Sequence, residues 1–396
     1  MNLLERRAPR LFTYLAICGL AMALGWGIRG QFGHERGAMI PGVLTAMAVA
    51  LVSTDPNKRN RVAALGVAGG LGLAVGGVMS YGKITGFMEH RETLARGIFL
   101  LGAKGAIWGG IGGAVFGMAL SRVRYRWLDL LWLLPVFAFW FATGNVPSGE
   151  SLSDGDMSKT LGVTLLALLV WLRFVKNDRA AVLFGICSLV GFGVGFPSAT
   201  ALCKWGEHTT IVVDWWKVAE MTWGLCGGLG WGLAAYLIDE EGEGPRRIRW
   251  GLPTWLGLFY VVGFVPMWNV WNGVEHWIAE KGLNPTAAYL GFAATCGVFM
   301  YVFAALVIAK PFRLSAFGVT ALAYAWVASS MIVAQLVKMA MPFPWGSGEI
   351  WTHITFFICF VITATYGCHR WARTAINESA AEETEFAVRF SAATGK

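Results

Sequence analysis

Glutamate and histidine stand side by side three times in this chain, at Glu89-His90, Glu207-His208 and Glu275-His276, and in reverse order at His34-Glu35. A carboxylate and an imidazole together can ligate a divalent ion, since neutral imidazole suits zinc-like metals and oxygen ligands suit harder ones. They can also relay protons, because an imidazole titrates near neutral pH. Adjacent residues cannot both point inward from one helix, so a shared site needs donors from several segments. The spacing of a known metal motif such as H-E-x-x-H is absent. A divalent metal is compatible with the set but not specified by it, and no other cofactor is indicated. The plainer alternative is that each Glu caps a returning helix, which gains about 0.3–1 kcal/mol for an exposed carboxylate.

Other charges keep company with these pairs. Arg29 and Arg36 sit in Gly27-Ile28-Arg29-Gly30-Gln31-Phe32-Gly33-His34-Glu35-Arg36-Gly37, where four glycines let backbone N–H groups approach a ligand and two guanidinium groups can clamp a carboxylate or phosphate. Arg91 follows His90, and Lys104 lies in the apolar run ahead of Trp108. Asp214, Lys217 and Glu220 lie ahead of Trp223, and Lys217 and Glu220 are three apart, so they can pair on one helical face. Ionisable residues this far inside apolar runs are costly unless paired or wetted, which makes them functional candidates, with pairing inside the bundle as the alternative.

The elements that must hold these residues are membrane helices. The 396 residues are 56% hydrophobic and only 14% charged, with 51 Gly and 20 Trp. A soluble domain carries nearer a quarter charged residues, and its interior could not hide this much apolar surface. An all-α polytopic membrane protein follows, and nucleic-acid binding is excluded. Apolar runs of span length fall near 11–28, 38–54, 62–80, 97–120, 127–143, 159–175, 180–197, 211–237, 252–268, 286–309, 314–337 and 350–368. Twelve helices in six hairpins are expected in one transmembrane domain, 1–368, followed by a mixed-charge tail, 369–396, expected to be loosely ordered. Arg6, Arg7 and Arg10 precede the first run without an A-x-A cleavage site, so that run reads as a helix and not a signal peptide. Clusters such as Lys58/Arg59/Arg61, Arg122/Arg124/Arg126 and Arg246/Arg247/Arg249 occupy every other connection. This positive-inside alternation puts both termini in the cytoplasm and accounts for the net charge of +8 without an anionic partner.

An internal repeat organises the middle of the chain. Residues 58–90 slide onto 176–208, matching Glu89-His90 to Glu207-His208. Directly after, Trp108-Gly109-x-x-Gly112-Gly113-x-x-x-Gly117 recurs as Trp223-Gly224-x-x-Gly227-Gly228-x-x-x-Gly232. A fainter third copy carries Glu275-His276. Each unit reads as an apolar helix, an outer turn with Glu-His and a Gly-rich returning helix, and an even number of spans between them makes the repeats parallel. Gly105, Gly109, Gly113 and Gly117 line one helix face, as do Gly224, Gly228 and Gly232; such faces permit close helix packing, within the chain or in a homo-oligomer. The seven Cys form no CxxC pair and read as small packing residues, with Cys203 beside a polar loop as the one candidate reactive thiol.

Two functions are consistent with these features. In the first, a transporter of a small solute or ion has an extracytoplasmic vestibule lined by the Glu/His turns, proton- or cation-coupled, with Lys104, Lys217 and Glu220 as exchanging charge partners. In the second, an integral membrane enzyme acts at the outer face, with Glu/His as acid/base or metal ligands and arginines holding a phosphorylated or lipid-linked substrate. Spreading similar groups over many outer turns favours the first. The partners expected are the lipid bilayer and a small-molecule or ion substrate, and the Arg-rich inner turns without paired cysteines fit a bacterial inner membrane.

Overall fold

The computed structural model describes residues 3–33, 35–55, 61–79, 81–131, 134, 138, 154–239, 251–308, 316–338 and 349–394. Among them the chain is helical throughout, with no strand. The helices are α1 (Leu3–Arg29), α2 (Glu35–Val52), α3 (Val62–Gly76), α4 (Arg91–Leu120), α5 (Asp154–Val170), α6 (Arg179–Glu207) and α7 (Trp215–Ile238). Next comes α8, in which Leu252–Leu258, a π-helical stretch Phe259–Phe264 and Val265–Lys281 run on as one rod. Then follow α9 (Pro285–Ile308), α10 (Ala316–Lys338) and α11 (Glu349–Thr394). Among the described residues, eight helices are long and apolar enough to cross a membrane, those of α1, α4, α5 (with the π-helical turn after it), α6, α7, α9, α10 and α11, and two shorter apolar helices, 36–52 and 62–76, accompany them. The outer surface agrees with a lipid setting: Phe99, Phe174, Val194, Leu290 and Tyr301 are each more than half exposed, a pattern that a water-soluble monomer does not sustain. The chain is a multi-pass helical membrane protein.

Six helices close into a ring. Neighbours around it are α1–α2, α2–α3, α3–α4, α4–α6, α6–α7 and α7–α1. Glycines set how closely they approach. A Cβ on Gly105, Gly109 or Gly113 of α4 would collide with the carbonyl oxygens of Phe192, Ser188 and Phe184 on α6. Gly224, Gly228 and Gly232 of α7 stand in the same relation to Met22, Cys18 and Tyr14 of α1. The falling partner numbers make both pairs antiparallel, and both glycine faces are engaged inside the chain. Helices α8 to α11 pack outside the ring, α8 on α3 and α2, α10 on α2, and α11 on α1 and α10.

Aromatic side chains from the ring helices meet inside it. Phe116 stacks on Trp231 at 4.3 Å between ring centroids, Trp26 lies 4.9 Å from Phe192, and Phe196 stacks on Trp223 at 5.0 Å. Their indoles are tied to the backbone or a hydroxyl: Trp108 Nε1 donates to the Leu73 carbonyl at 2.7 Å, Trp223 Nε1 to the Phe196 carbonyl at 3.0 Å and Trp231 Nε1 to Ser188 Oγ at 2.9 Å.

Three elements differ from expectation. The run 252–268 continues as helix to Lys281, because the π-helical stretch just before Pro266 absorbs the backbone disruption a proline causes; the rod stops at Gly282, which adopts the left-handed φ of +63° that glycine takes most easily. The tail expected to be loose is helical as far as Thr394. Of the run 127–143, a short 3-10 turn Trp127–Leu130 is described, and residues 139–153, with Glu150, lie outside the described residues.

Candidate functional site

The charged residues that meet are not the Glu-His pairs. At the end of the ring where α1 stops and α7 begins, Lys217 Nζ lies 2.5 Å from Glu220 Oε2, with the two side chains 5% and 2% exposed. Asp214 starts α7 by accepting a hydrogen bond from the Lys217 backbone N–H at 3.0 Å, which fixes the first turn and aims Lys217 back across the ring. There its ammonium also donates to the Gly27 carbonyl at 3.2 Å, one of the carbonyls left unsatisfied at the C-terminal end of α1. Gly30 closes over this pair: a Cβ there would collide with both Glu220 oxygens and with Lys217 Nζ. A side chain at position 30 would make the Glu220 carboxylate and the Lys217 ammonium shift.

Arg29 lies next to this pair and is 1% exposed. Its guanidinium carbon is 5.0 Å from the ring centroid of Trp26, 5.0 Å from Trp108 and 5.5 Å from Tyr81, and it donates to Tyr81 Oη at 3.0 Å. A cation shielded from water by aromatic faces gains about 0.5–2 kcal/mol from each. Tyr81 itself contacts Trp216, Trp223 and Phe196, so the arginine is tied to helices α4, α6 and α7 through one aromatic cage. Lys104, one turn before Trp108 on α4, is also buried at 4%. Arg29, Lys104, Lys217 and Glu220 are thus all buried side chains of the ring helices.

The remaining candidates are distributed around that end. Glu89 and Glu207 are exposed, and both pair with Lys204 of α6, at 2.9 Å and 3.1 Å. The Lys204 hydrogen bond holds the Glu89 carboxyl below its ordinary range. Neither Glu side chain caps the returning helix: α4 begins after His90 without a side-chain cap, and α7 is capped by Asp214. His90 and His208 occupy the flanking positions of α4 and α6, both exposed. Arg91 is exposed on the first turn of α4. Glu275 and His276, expected in an outer turn, sit within α8 instead, where Trp271 Nε1 donates to Glu275 at 2.7 Å and His276 Nε2 lies 3.0 Å from Glu280. Arg36 stacks on Trp268 at 5.1 Å and lines an aromatic cavity of about 300 Å³ with Trp271 and Phe292, a cavity that Arg29 does not line. His34 and the Glu35 side chain lie outside the described residues. Among the described residues, no three of His, Cys, Asp and Glu come together as a metal-ion site.

The opposite end of the ring is held by a single carboxylate. Asp239, just past α7, accepts hydrogen bonds from Arg10 at 2.9 Å, from Ser53 Oγ at 2.6 Å, from Thr54 N and Oγ1 at 2.8 and 2.7 Å, and from Tyr14 Oη. It therefore ties α7 to α1 and to the end of α2. Comparison with protein-family models, with curated proteins and with solved structures gave no match.

Tyr81, Trp26, Lys204 and Asp239 were not among the residues singled out by type and spacing. A local signal exists for Trp26, which stands one helical turn from Arg29, as Trp108 does from Lys104 and Trp223 from Glu220; the spacing is common in this chain, and Tyr81 is in no such pair. Asp239 carries no comparable pattern, because its donors come from four distant positions.

Proposed function

We propose that the protein is a transporter of a small solute or ion, and that its substrate site is the buried Arg29, Lys217 and Glu220 cluster beneath Gly30. The observation that carries this reading is the Lys217–Glu220 pair, held with Arg29 inside a helix ring and shielded from water. Buried ionic groups inside a membrane bundle are expensive, and stability alone is poorly served by them. A guanidinium and an ammonium group at one buried place suit a small anion. It would take the place of Glu220 as the partner of Lys217 and Arg29, while Glu220 takes up a proton or swings away. Exposed Glu89, His90, Glu207 and His208, with Lys204, form the mouth on this side, and Glu35, His34 and Arg36 lie on the chain that follows Gly30.

In this reading the twelve runs are six hairpins in a bacterial inner membrane, both termini cytoplasmic, with the Arg29 end outward and the Asp239 end inward. The hairpins α3–α4 and α6–α7 are the parallel repeats, and Trp108 and Trp223, each bonded to a carbonyl of its preceding helix, are their matching anchors. Alternating access would open the Gly30 cover and the Asp239 tie in turn. Solute counter-flow in proteoliposomes tests the reading, with a panel of small carboxylates, phosphates and amino acids. Saturable exchange of one class supports it; turnover of a substrate in detergent, without a second compartment, would support an enzyme.

A further inference from the structure

A second site is carried by the end of the bundle that holds Asp239. There the connections 121–126 and 177–178 and the ends of α4, α6 and α7 surround a cavity of about 970 Å³. Five arginines line it, Arg61, Arg122, Arg124, Arg126 and Arg179, against two carboxylates, Asp55 and Asp178. Asp178 is already engaged, accepting from Tyr125 Oη at 2.5 Å and from the Ala181 backbone N–H at 3.0 Å. Arg61 braces the wall by donating to the Ser121 carbonyl at 3.1 Å. Arg124, Arg126 and Arg179 are exposed, and Arg126 lies near Asp129, whose carboxyl is also paired with Lys176. Fixing orientation across a membrane needs positive charge on one side; it does not need guanidinium groups gathered around one concave space, where like charges raise the local potential.

We infer that this cavity binds the phosphate group of an anionic phospholipid headgroup. Guanidinium forks match phosphate oxygens in pairs. Besides Ser121, Tyr125 and Asn177, the wall has an apolar side with Leu120, Ala180, Leu237 and Ile238, and Leu237 is 54% exposed. A basic rim joined to an apolar, outward-facing wall at the end of the spanning helices suits a lipid, whose headgroup and chain need both. A free phosphate would use only the rim. The inference does not depend on the transport reading, because none of these residues belongs to the Arg29 cluster.

Native mass spectrometry and thermal unfolding of the full chain in detergent decide it, with phosphatidylglycerol, phosphatidylcholine and inorganic phosphate added separately. Wild type is expected to retain phosphatidylglycerol over phosphatidylcholine, and R124Q/R126Q to lose roughly tenfold of that preference for each arginine removed. The unfolding temperature in phosphatidylcholine verifies that the variant is folded, and R179Q is the second variant should it not be. Equal preference in wild type and variants would overturn the site. Displacement of the lipid by millimolar inorganic phosphate, with the same gain in stability, would overturn the lipid and leave a free anion as ligand.

Discussion

Breaking the Lys217–Glu220 pair from either side should cost far more than removing both partners. The side chains are 5% and 2% exposed and 2.5 Å apart, so Glu220→Leu leaves a buried ammonium near Arg29, and Lys217→Met leaves a buried carboxylate. Each single change is expected to destabilise by about 3–5 kcal/mol, the usual cost of an uncompensated buried charge. The double variant Lys217→Met/Glu220→Leu removes both charges and restores apolar volume, and pairs replaced in this way are often neutral or more stable than the original. It should therefore lie within about 1 kcal/mol of wild type, giving a coupling energy of at least about 5 kcal/mol in a double-mutant cycle. Denaturant unfolding in detergent, followed by tryptophan fluorescence, measures all four proteins. If the two single losses simply add in the double variant, the side chains do not act as a buried pair and the site built on them is wrong.

Asp239→Asn keeps the shape but removes the charge that Arg10, Tyr14, Ser53 and Thr54 share; since hydrogen bonds to charged groups contribute about 1.5–3 kcal/mol each, a loss of about 3 kcal/mol in the same unfolding assay is expected, and an unchanged midpoint would show that the tie carries no load. Gly105→Ala forces a methyl group onto the Phe192 carbonyl and should destabilise by about 1–3 kcal/mol, whereas Gly291→Ala on α9, with open space around it, should be neutral or gain up to about 1 kcal/mol; equal effects at the two positions would refute close packing as the reason for the α4 glycines. Because Lys204 holds the Glu89 carboxyl below its ordinary value of 4.5, its contribution is complete above that value and fades as pH falls through the lower folded one. Lys204→Met should return the Glu89 carboxyl band, identified in infrared titration by its loss in Glu89→Gln, toward the ordinary range, and an unmoved band would dissociate the two residues.

Helix positions were largely legible in the sequence because lipid exposure demands long apolar runs, and Phe99 or Leu290 needs no partner to announce it. Charge spacing along one helix was legible too: Lys217 and Glu220 lie three apart, and their contact needs nothing beyond that turn. What spacing could not convey was which side chains point into the ring. Glu89-His90 and Glu207-His208 recur most plainly, yet they stand at helix ends, where the backbone directs them outward and Lys204 collects the carboxylates. Glu275-His276 has the same letters inside a helix that Pro266 does not end, since the π-helical stretch before it changes the register. The aromatic cage depends on contacts between residues as far apart as Trp26 and Phe196, which no local pattern encodes. Gly30 was visible as one glycine among several in a polar turn; its role follows only from Lys217 lying beneath it.

The central claim is that the buried cluster is a transport site rather than a structural ion pair. Counter-flow in proteoliposomes, comparing wild type with Lys217→Met/Glu220→Leu, tests it most directly, because that variant is expected to be as stable as wild type. Saturable exchange of a small anion by wild type, absent from the equally stable variant, is the predicted result. Undiminished exchange by the variant would contradict it.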